Sequence, residues 1–451
     1  MLLGETAGVS QVKRLILIFL LLSATVQGGQ FIVGDSVQFS TFLYRYAPHM
    51  AMTSGGDVAW IYCVDKTADS MRVVYTSDMG GTLGGSTISN SGGTSSPYCG
   101  LYSFGDSMYA LTGRSAASNN FWLSKFSGDP FGLTIFDTIT YTGYSGAGGT
   151  PVFTMSLSND SIIVVHCEET GTPDSMFGII SNGALGQTTT WARLDSADLT
   201  KPPGLKIPFR ETVPGILWHA YQESTLYWID RTAGFDTIDT YIAPLGGATG
   251  NASGTTNIVQ VDGDTALIAY QKTVAAGTDA LWSKRFRISG VGAGSGTTVD
   301  LDSALIEAHT SIPTGFHYFP TYSVVGVNGD TVLLYYRYWA DTLNVDSMDI
   351  AYKMSTDGGA TWGSRTIYVA AVNASKRWML EAPSKIYLRG SYLLRGVMWT
   401  DSVTTRDTMR AFLDSVAVTP PAPAWISGVH HSKAGIMTAH SKSYIGTMHR
   451  K

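Results

Sequence analysis

The sequence predicts an all-β protein built from one repeated four-stranded unit. Three observations predict it: the composition, a recurring turn-then-strand string, and the near absence of long amphipathic helical patterns. The 451 residues include 50 glycines, 44% apolar and 11% aromatic residues, and only 14% charged ones. Many short β-branched and aromatic runs punctuated by glycine-containing turns read as many short strands. The polar surface then falls mostly to Ser, Thr, Asn and Gly.

The string reads GGDVAWIY from Gly55, FGDSMYAL from Phe104, SNDSIIVV from Ser158, TVPGILWHAY from Thr212, DGDTALIAY from Asp262, NGDTVLLYY from Asn328 and RGSYLLRGVMW from Arg389. Successive copies lie about 50 to 65 residues apart, within or a little above the length of a four-stranded propeller blade. Several are preceded by a proline-led strand: Pro48-His49-Met50, Pro97-Tyr98-Cys99, Pro151-Val152-Phe153 and Pro320-Thr321-Tyr322. Each is followed by a third strand, beginning near Met71, Phe121, Met176, Leu226, Leu281, Met348 and Met409. The expectation is a β-propeller of four-stranded antiparallel blades over residues 29–418, seven blades being favoured over six. In the six-blade reading the last repeat is an appended sheet. That repeat has no fourth strand of its own, and VQFSTFLY, from Val37 to Tyr44, is expected to supply it and remove an exposed edge.

Two stretches specify turns in detail. Ser355-Thr356-Asp357-Gly358-Gly359-Ala360-Thr361-Trp362 matches S-x-D-x-G-x-T-W at every fixed position. The stretch from Thr76 through Asp78, Gly80 and Thr82 to Leu83 repeats it, with Thr for Ser and Leu for Trp. In such a turn the Asp accepts backbone N–H bonds, the Gly relieves the backbone, and Thr and Trp pin the next strand. This is the Asp-box pattern, and the chain resembles the sialidase-type (BNR-repeat) β-propeller superfamily.

The resemblance implies boxes between third and fourth strands and a ligand face on the opposite rim. Loops there carry Asp65, Lys66 and Asp69; Arg114; Glu168, Glu169 and Asp174; Glu223; Asp341 and Asp346; and Asp401 and Arg406. Family members open with F/Y-R-I-P, whose Arg binds the substrate carboxylate. Here Tyr44-Arg45-Tyr46-Ala47-Pro48 stands in that place, with one residue inserted and no Ile. Asp69, nine residues before Asp78, occupies a position comparable to that of the family acid/base. A bidentate guanidinium suits a carboxylate, and a loop carboxylate can protonate a leaving group. The Asp-Ser-Met string of Asp69 recurs at Asp106, Asp174 and Asp346, which reads equally as a repeated turn. The rest of the family's arginine triad and its Tyr–Glu nucleophile pair match no motif. The candidate set is therefore Asp69 as catalyst and Arg45, Arg337, Glu168 and Trp339 as ligand-binding residues. Trp339 and Trp399 would stack on sugar rings, with core packing as their alternative role.

At the N-terminus, Lys13-Arg14 precede the apolar run Leu15 to Leu22 and a small-residue stretch ending at Gly28. This is a secretory signal layout over residues 1–28, with an apolar run too short to span a membrane. Its removal takes away Lys13, Arg14 and Glu5, so the formal charge moves from −5 to −5 − 2 + 1 = −6. A mildly acidic secreted protein is a poor nucleic-acid binder. Cys63, Cys99 and Cys167 are odd in number and lack metal-ligand spacing, so buried thiols are expected, with Cys63 and Cys99 the pair to test. Residues 419–451 read as a linker, TPPAPAW, and a tail in which His430, His431, His440 and His449 have no compact ligand spacing. No P-loop, HExxH, GxSxG or CxxC motif occurs, so neither cofactor nor metal is expected. The function expected is a secreted, non-catalytic propeller recognising a glycan or a surface macromolecule. The two alternatives are a structural subunit of an extracellular assembly or filament (a homo-oligomer) that docks onto its own copies through its terminal tails, and a sialidase-like glycoside hydrolase using Arg45 and Asp69.

Overall fold

The computed structural model describes residues 25–37, 48–64, 70–89, 97–114, 120–127, 132–140, 152–158, 161–168, 175–182, 192–195, 204–209, 215–219, 226–230, 238–241, 257–262, 265–275, 278–289, 297–308, 321–325, 330–339, 347–373, 380–389, 392–403 and 406–417. Among them every regular element is a strand, and the strands form seven separate sheets. Sheet 1 holds Met50–Met52, Val58–Cys63, Ser70–Thr76 and Gly84–Ser89. Sheet 2 holds Pro97–Phe104, Ser107–Arg114, Asn120–Ser127 and Gly132–Thr140. Sheet 3 runs from Val152–Ser158 through Ser161–Glu168 and Ser175–Asn182 to Ala192–Asp195. Sheet 4 contains Gly204–Phe209, Gly215–His219, Leu226–Asp230 and Ile238–Tyr241. Sheet 5 contains Asn257–Asp262, Thr265–Ala275, Thr278–Ser289 and Thr297–Glu307. In these five sheets the strands pair antiparallel in sequence order.

Sheet 6 is built the same way from Thr321–Val325, Val332–Tyr338, Ser347–Ser355 and Thr366–Asn373, with Lys385–Ile386 added parallel to its first strand. Sheet 7 departs from the rule. Leu380–Glu381, Tyr392–Val403 and Arg406–Ala417 are followed at the outer edge by Thr25–Val37, from the other end of the chain. The edge strand is thus Thr25–Val37 rather than the expected Val37 to Tyr44, and only Val37 is common to both. The glycine-rich sequence TVQGGQFIVGDSV has weak strand propensity, but its position demands small residues. A Cβ on Gly34 would stand 2.7 Å from the Tyr62 ring. The register shifts at this point, between Ile32 and Gly34 and again between Gly34 and Val37, as a bulged edge strand does.

The second strands of sheets 1 and 6 read as unbroken apolar runs because both their faces are covered. Every residue of Val58–Cys63 is buried, and so is all of Val332–Tyr338 except the half-buried Tyr338. Their side chains fill seams between consecutive sheets. One seam joins Ile61, Met71 and Val73 of sheet 1 to Leu101, Met108 and Phe126 of sheet 2. Another joins Leu267 and Leu281 of sheet 5 to Tyr322, Leu334 and Tyr336 of sheet 6. The first strand of each sheet contacts the first strand of the next, from Met50–Met52 through to Leu380–Glu381, and Lys385–Ile386 contacts Met50–Met52 in turn.

Candidate functional site

Antiparallel order puts the connections between strands one and two, and between three and four, at one rim, and those between two and three at the opposite rim. The two S/T-x-D-x-G turns join third to fourth strands, in sheets 1 and 6. In the second turn, Ser355 Oγ donates to Asp357 Oδ1 at 2.7 Å and accepts from Gly359 N at 2.7 Å, while Thr361 donates to Asp357 through N at 2.9 Å and through Oγ1 at 2.6 Å. In the first, Thr76 Oγ1 donates to Asp78 at 2.7 Å and accepts from Gly80 N at 2.9 Å, and Thr82 N donates to Asp78 at 2.8 Å. Gly80 and Gly359 have φ of 91° and 89°, which a side chain tolerates poorly. These bonds hold the Asp78 carboxyl below its ordinary range, with the Thr82 N–H the main cause. Burial raises that of Asp357, but the bonds from Thr361 and Ser355 and the charge of Arg285 outweigh it and hold it low.

Of the residues expected on the opposite rim, Arg45 and Asp69 lie outside the described residues, and Glu168 ends the strand Ser161–Glu168. Arg337 and Trp339 lie in the interior, 1% and 0% exposed. The guanidinium stands 4.7 Å from the Trp339 ring centre, and its Nε donates to Met348 Sδ at 2.9 Å. As placed, the two side chains pack against each other and offer no surface to a ligand. Trp399 is equally buried.

The structure assembles three polar clusters that the sequence did not reveal, because each joins residues distant along the chain or on different strands. His49, at the entry to sheet 1, meets Glu381 of sheet 7: the His49 N–H donates to Glu381 Oε2 at 2.7 Å, and its Nδ1 lies 3.3 Å from Oε1. In the seam of sheets 5 and 6, Glu307 accepts from Tyr336 OH at 2.7 Å and from Arg365 at 2.9 Å. Arg365 stacks 3.8 Å from the centre of the Tyr338 ring, and Lys353 Nζ donates to the Ile306 carbonyl. Burial pulls the Lys353 pKa down, against the attraction of Glu307. In the seam of sheets 6 and 7, cross-strand partners Arg395 and Asp414 form a buried bidentate pair. Tyr352 accepts from Arg395 at 3.1 Å, and Tyr368 donates to Asp414 at 2.7 Å. Burial opposes the Arg395 charge, but Tyr368 and Asp414 outweigh it and keep the guanidinium protonated. This third cluster ties two sheets together. The second reaches solvent through Arg365, whose side chain is 35% exposed. Among the described residues, no three His, Cys, Asp or Glu side chains are grouped to hold a metal ion.

No protein-family model matches the chain, and no curated protein matches it. Among solved structures, a polysaccharide lyase of family PL25, an ulvan lyase, is similar with a TM-score of 0.51 at 10% identity, over 88% of this chain and 98% of that one. The sialidase of Trypanosoma rangeli aligns with a TM-score of 0.42 at 9% identity, over 85% of this chain and 55% of that one. The α-L-arabinanase of Penicillium chrysogenum aligns with a TM-score of 0.42 at 9% identity, over 88% and 99%. At these identities likeness shows the fold alone, and the lyase alignment carries it: the chain has a β-propeller fold. This agrees with its resemblance to the sialidase-type superfamily.

Proposed function

We propose that this chain is a secreted, non-catalytic recognition protein, a seven-bladed propeller that binds a glycan on the rim opposite the two S/T-x-D-x-G turns. The seven sheets are its blades, and the part of Thr25–Val37 that follows the expected signal, from Gly29 on, closes the ring by completing the last. The observation that supports the glycan part of the reading is the fold shared with a polysaccharide lyase over nearly the full length of both chains, a scaffold that presents its second-to-third-strand loops together on one rim. Binding is favoured over hydrolysis by Tyr336. Its bond to Glu307 is the arrangement a tyrosine nucleophile would need, yet Tyr336 is fully buried and has no face for a sugar.

The test is an array of neutral, sialylated and uronic-acid glycans probed with the secreted chain, alongside two turnover assays. One follows fluorophore release from a sialoside, and the other the ultraviolet absorbance of the unsaturated uronate a lyase leaves. Binding without product is expected, and Arg45→Ala should weaken binding to acidic glycans roughly tenfold or more, the worth of a charge-assisted pair. Product formation would replace this reading with an enzymatic one. Failure to bind any glycan would remove recognition of sugars.

A second reading, self-association, is favoured by the outer strand of sheet 5. Thr297–Glu307 ends its sheet's strand order, and Val299, Leu301 and Leu305 on it are 42%, 39% and 49% exposed. An edge strand with apolar side chains in water is a template for pairing with another chain. Light scattering that shows growth with concentration, abolished by Leu301→Lys, supports this reading, and a persistent monomer rejects it.

A further inference from the structure

We propose that Cys63 and Cys99 form a redox pair that closes into a disulfide joining sheet 1 to sheet 2. Cys63 ends the strand Val58–Cys63, and Cys99 lies in Pro97–Phe104, 36 positions along the chain. Their Sγ atoms are 3.8 Å apart, and both are thiols. The approach is built into the backbone. Ile61 N donates to the His49 carbonyl at 2.9 Å and Leu101 N to the Pro48 carbonyl at 2.6 Å, so consecutive residues 48 and 49 clamp the two strands together. Cys63 and Cys99 each lie two positions from a clamped residue and meet across the seam among Ala51, Ile61, Met71 and Leu101. A disulfide has its sulfurs about 2.05 Å apart, so closure asks them to approach by about 1.8 Å, which side-chain rotation can supply.

The chemistry is thiol–disulfide exchange with a disulfide oxidant, either a small one such as oxidised glutathione or that of a protein oxidoreductase. One cysteine thiolate attacks a sulfur of the oxidant, breaking its S–S bond and releasing the first thiol. The second thiolate then attacks the mixed disulfide and displaces the other thiol. The pair loses two protons and two electrons, which the oxidant takes up as it becomes two thiols. Cys63 and Cys99 are 0% and 3% exposed, and burial pushes the Cys99 thiol up in pKa. Exchange therefore proceeds while the seam assembles or transiently opens.

The experiment needs no particular compartment. The reduced full chain is incubated in an oxidising glutathione buffer, quenched with acid, denatured, alkylated with N-ethylmaleimide and peptide-mapped without reduction. The expected product is one linked peptide pair, Cys63 to Cys99, two hydrogens lighter than the reduced peptides, with Cys167 alkylated. The oxidised protein should melt roughly 3 to 8 °C above the reduced one, and Cys99→Ser should abolish the difference. Maleimide or glutathione on both Cys63 and Cys99, or a link from either to Cys167, overturns the proposal. The wild-type map decides even if Cys99→Ser fails to fold.

Discussion

The turns at Thr76–Leu83 and Ser355–Trp362 share one internal hydrogen-bond frame and differ in what they grip. The second is anchored on sheet 5 in three ways. Trp362 Nε1 donates to Ser283 Oγ of sheet 5 at 3.0 Å, while its ring stacks on Tyr322 of its own sheet 6, with centres 6.4 Å apart. Arg285, paired with Asp302, donates to the Asp357 carbonyl at 3.1 Å. Gly359 sits so close to the fully buried Leu267 that an added Cβ would lie 2.7 Å from it. The first turn has Leu83, 39% exposed, where the second has Trp362. Its grip is on the N-terminal strand, where a Cβ on Gly80 would lie 2.5 Å from the Phe31 ring, itself packed edge-on against Trp60 at 5.6 Å. One frame therefore serves two purposes: fastening sheet 6 to sheet 5, and clamping the strand that completes sheet 7 onto sheet 1.

The sharpest way to break this comparison is at the glycines. Gly359→Ala should cost about 3 to 4 kcal/mol, combining a positive φ with overpacking against a core leucine. Gly80→Ala should cost roughly half as much, because Phe31 is only partly buried on an edge strand and can swing aside. Urea unfolding of both variants checks the ratio, and Gly80→Ala should also expose the N-terminal strand to limited proteolysis. Trp362→Leu, which turns the second motif into the first, should cost about 2 kcal/mol by losing the stack and leaving the buried Ser283 hydroxyl without this donor.

A smaller effect comes from the carboxylates. Asp357→Ala should cost about 1 kcal/mol after allowance for solvent screening, and Asp78→Ala, fully exposed, should cost less. Both carboxyls have folded pKa values below 3.8, so on acidification the unfolded chain takes up their protons first. Their stabilisation is complete above about pH 4 to 5 and is lost as pH falls through the folded values. Denaturation midpoints measured from pH 7 to pH 2 should show a shallower acid decline in Asp357→Ala than in wild type. Smallest of all, Leu83→Trp should change stability by no more than about 0.5 kcal/mol, since the side chain at that position stands largely in water.

Much of the strand plan was legible. All seven repeated strings are second strands, and the segments expected to follow them are third strands. Val58–Cys63 and Val332–Tyr338, whose burial is described, are covered on both faces, so their apolar runs depend little on which neighbour covers them. The edge strand was misplaced because alternation in VQFSTFLY is stronger than in the glycine-rich stretch before it. What selects the latter is room beside Tyr62 and beneath the first turn, a property of residues far away in the sequence. The candidate site was less legible. Arg337 and Trp339 look like an exposed cation beside an aromatic, and nothing local distinguishes that from a buried stack. The Tyr336–Glu307 bond, the Arg395–Asp414 pair and the His49–Glu381 contact leave no spacing signature, since their members are 29, 19 and 332 residues apart.

The sequence by itself determined the all-β class, the repeated four-stranded plan, and the internal geometry of both turns, all of which rest on interactions within a few residues. Tertiary structure decided which strand completes the last sheet, what each turn grips, which arginines are buried, and that two of three cysteines meet. Those outcomes depend on packing between sheets, where a residue's partner is set by close-packed shape and by the need to satisfy buried polar groups.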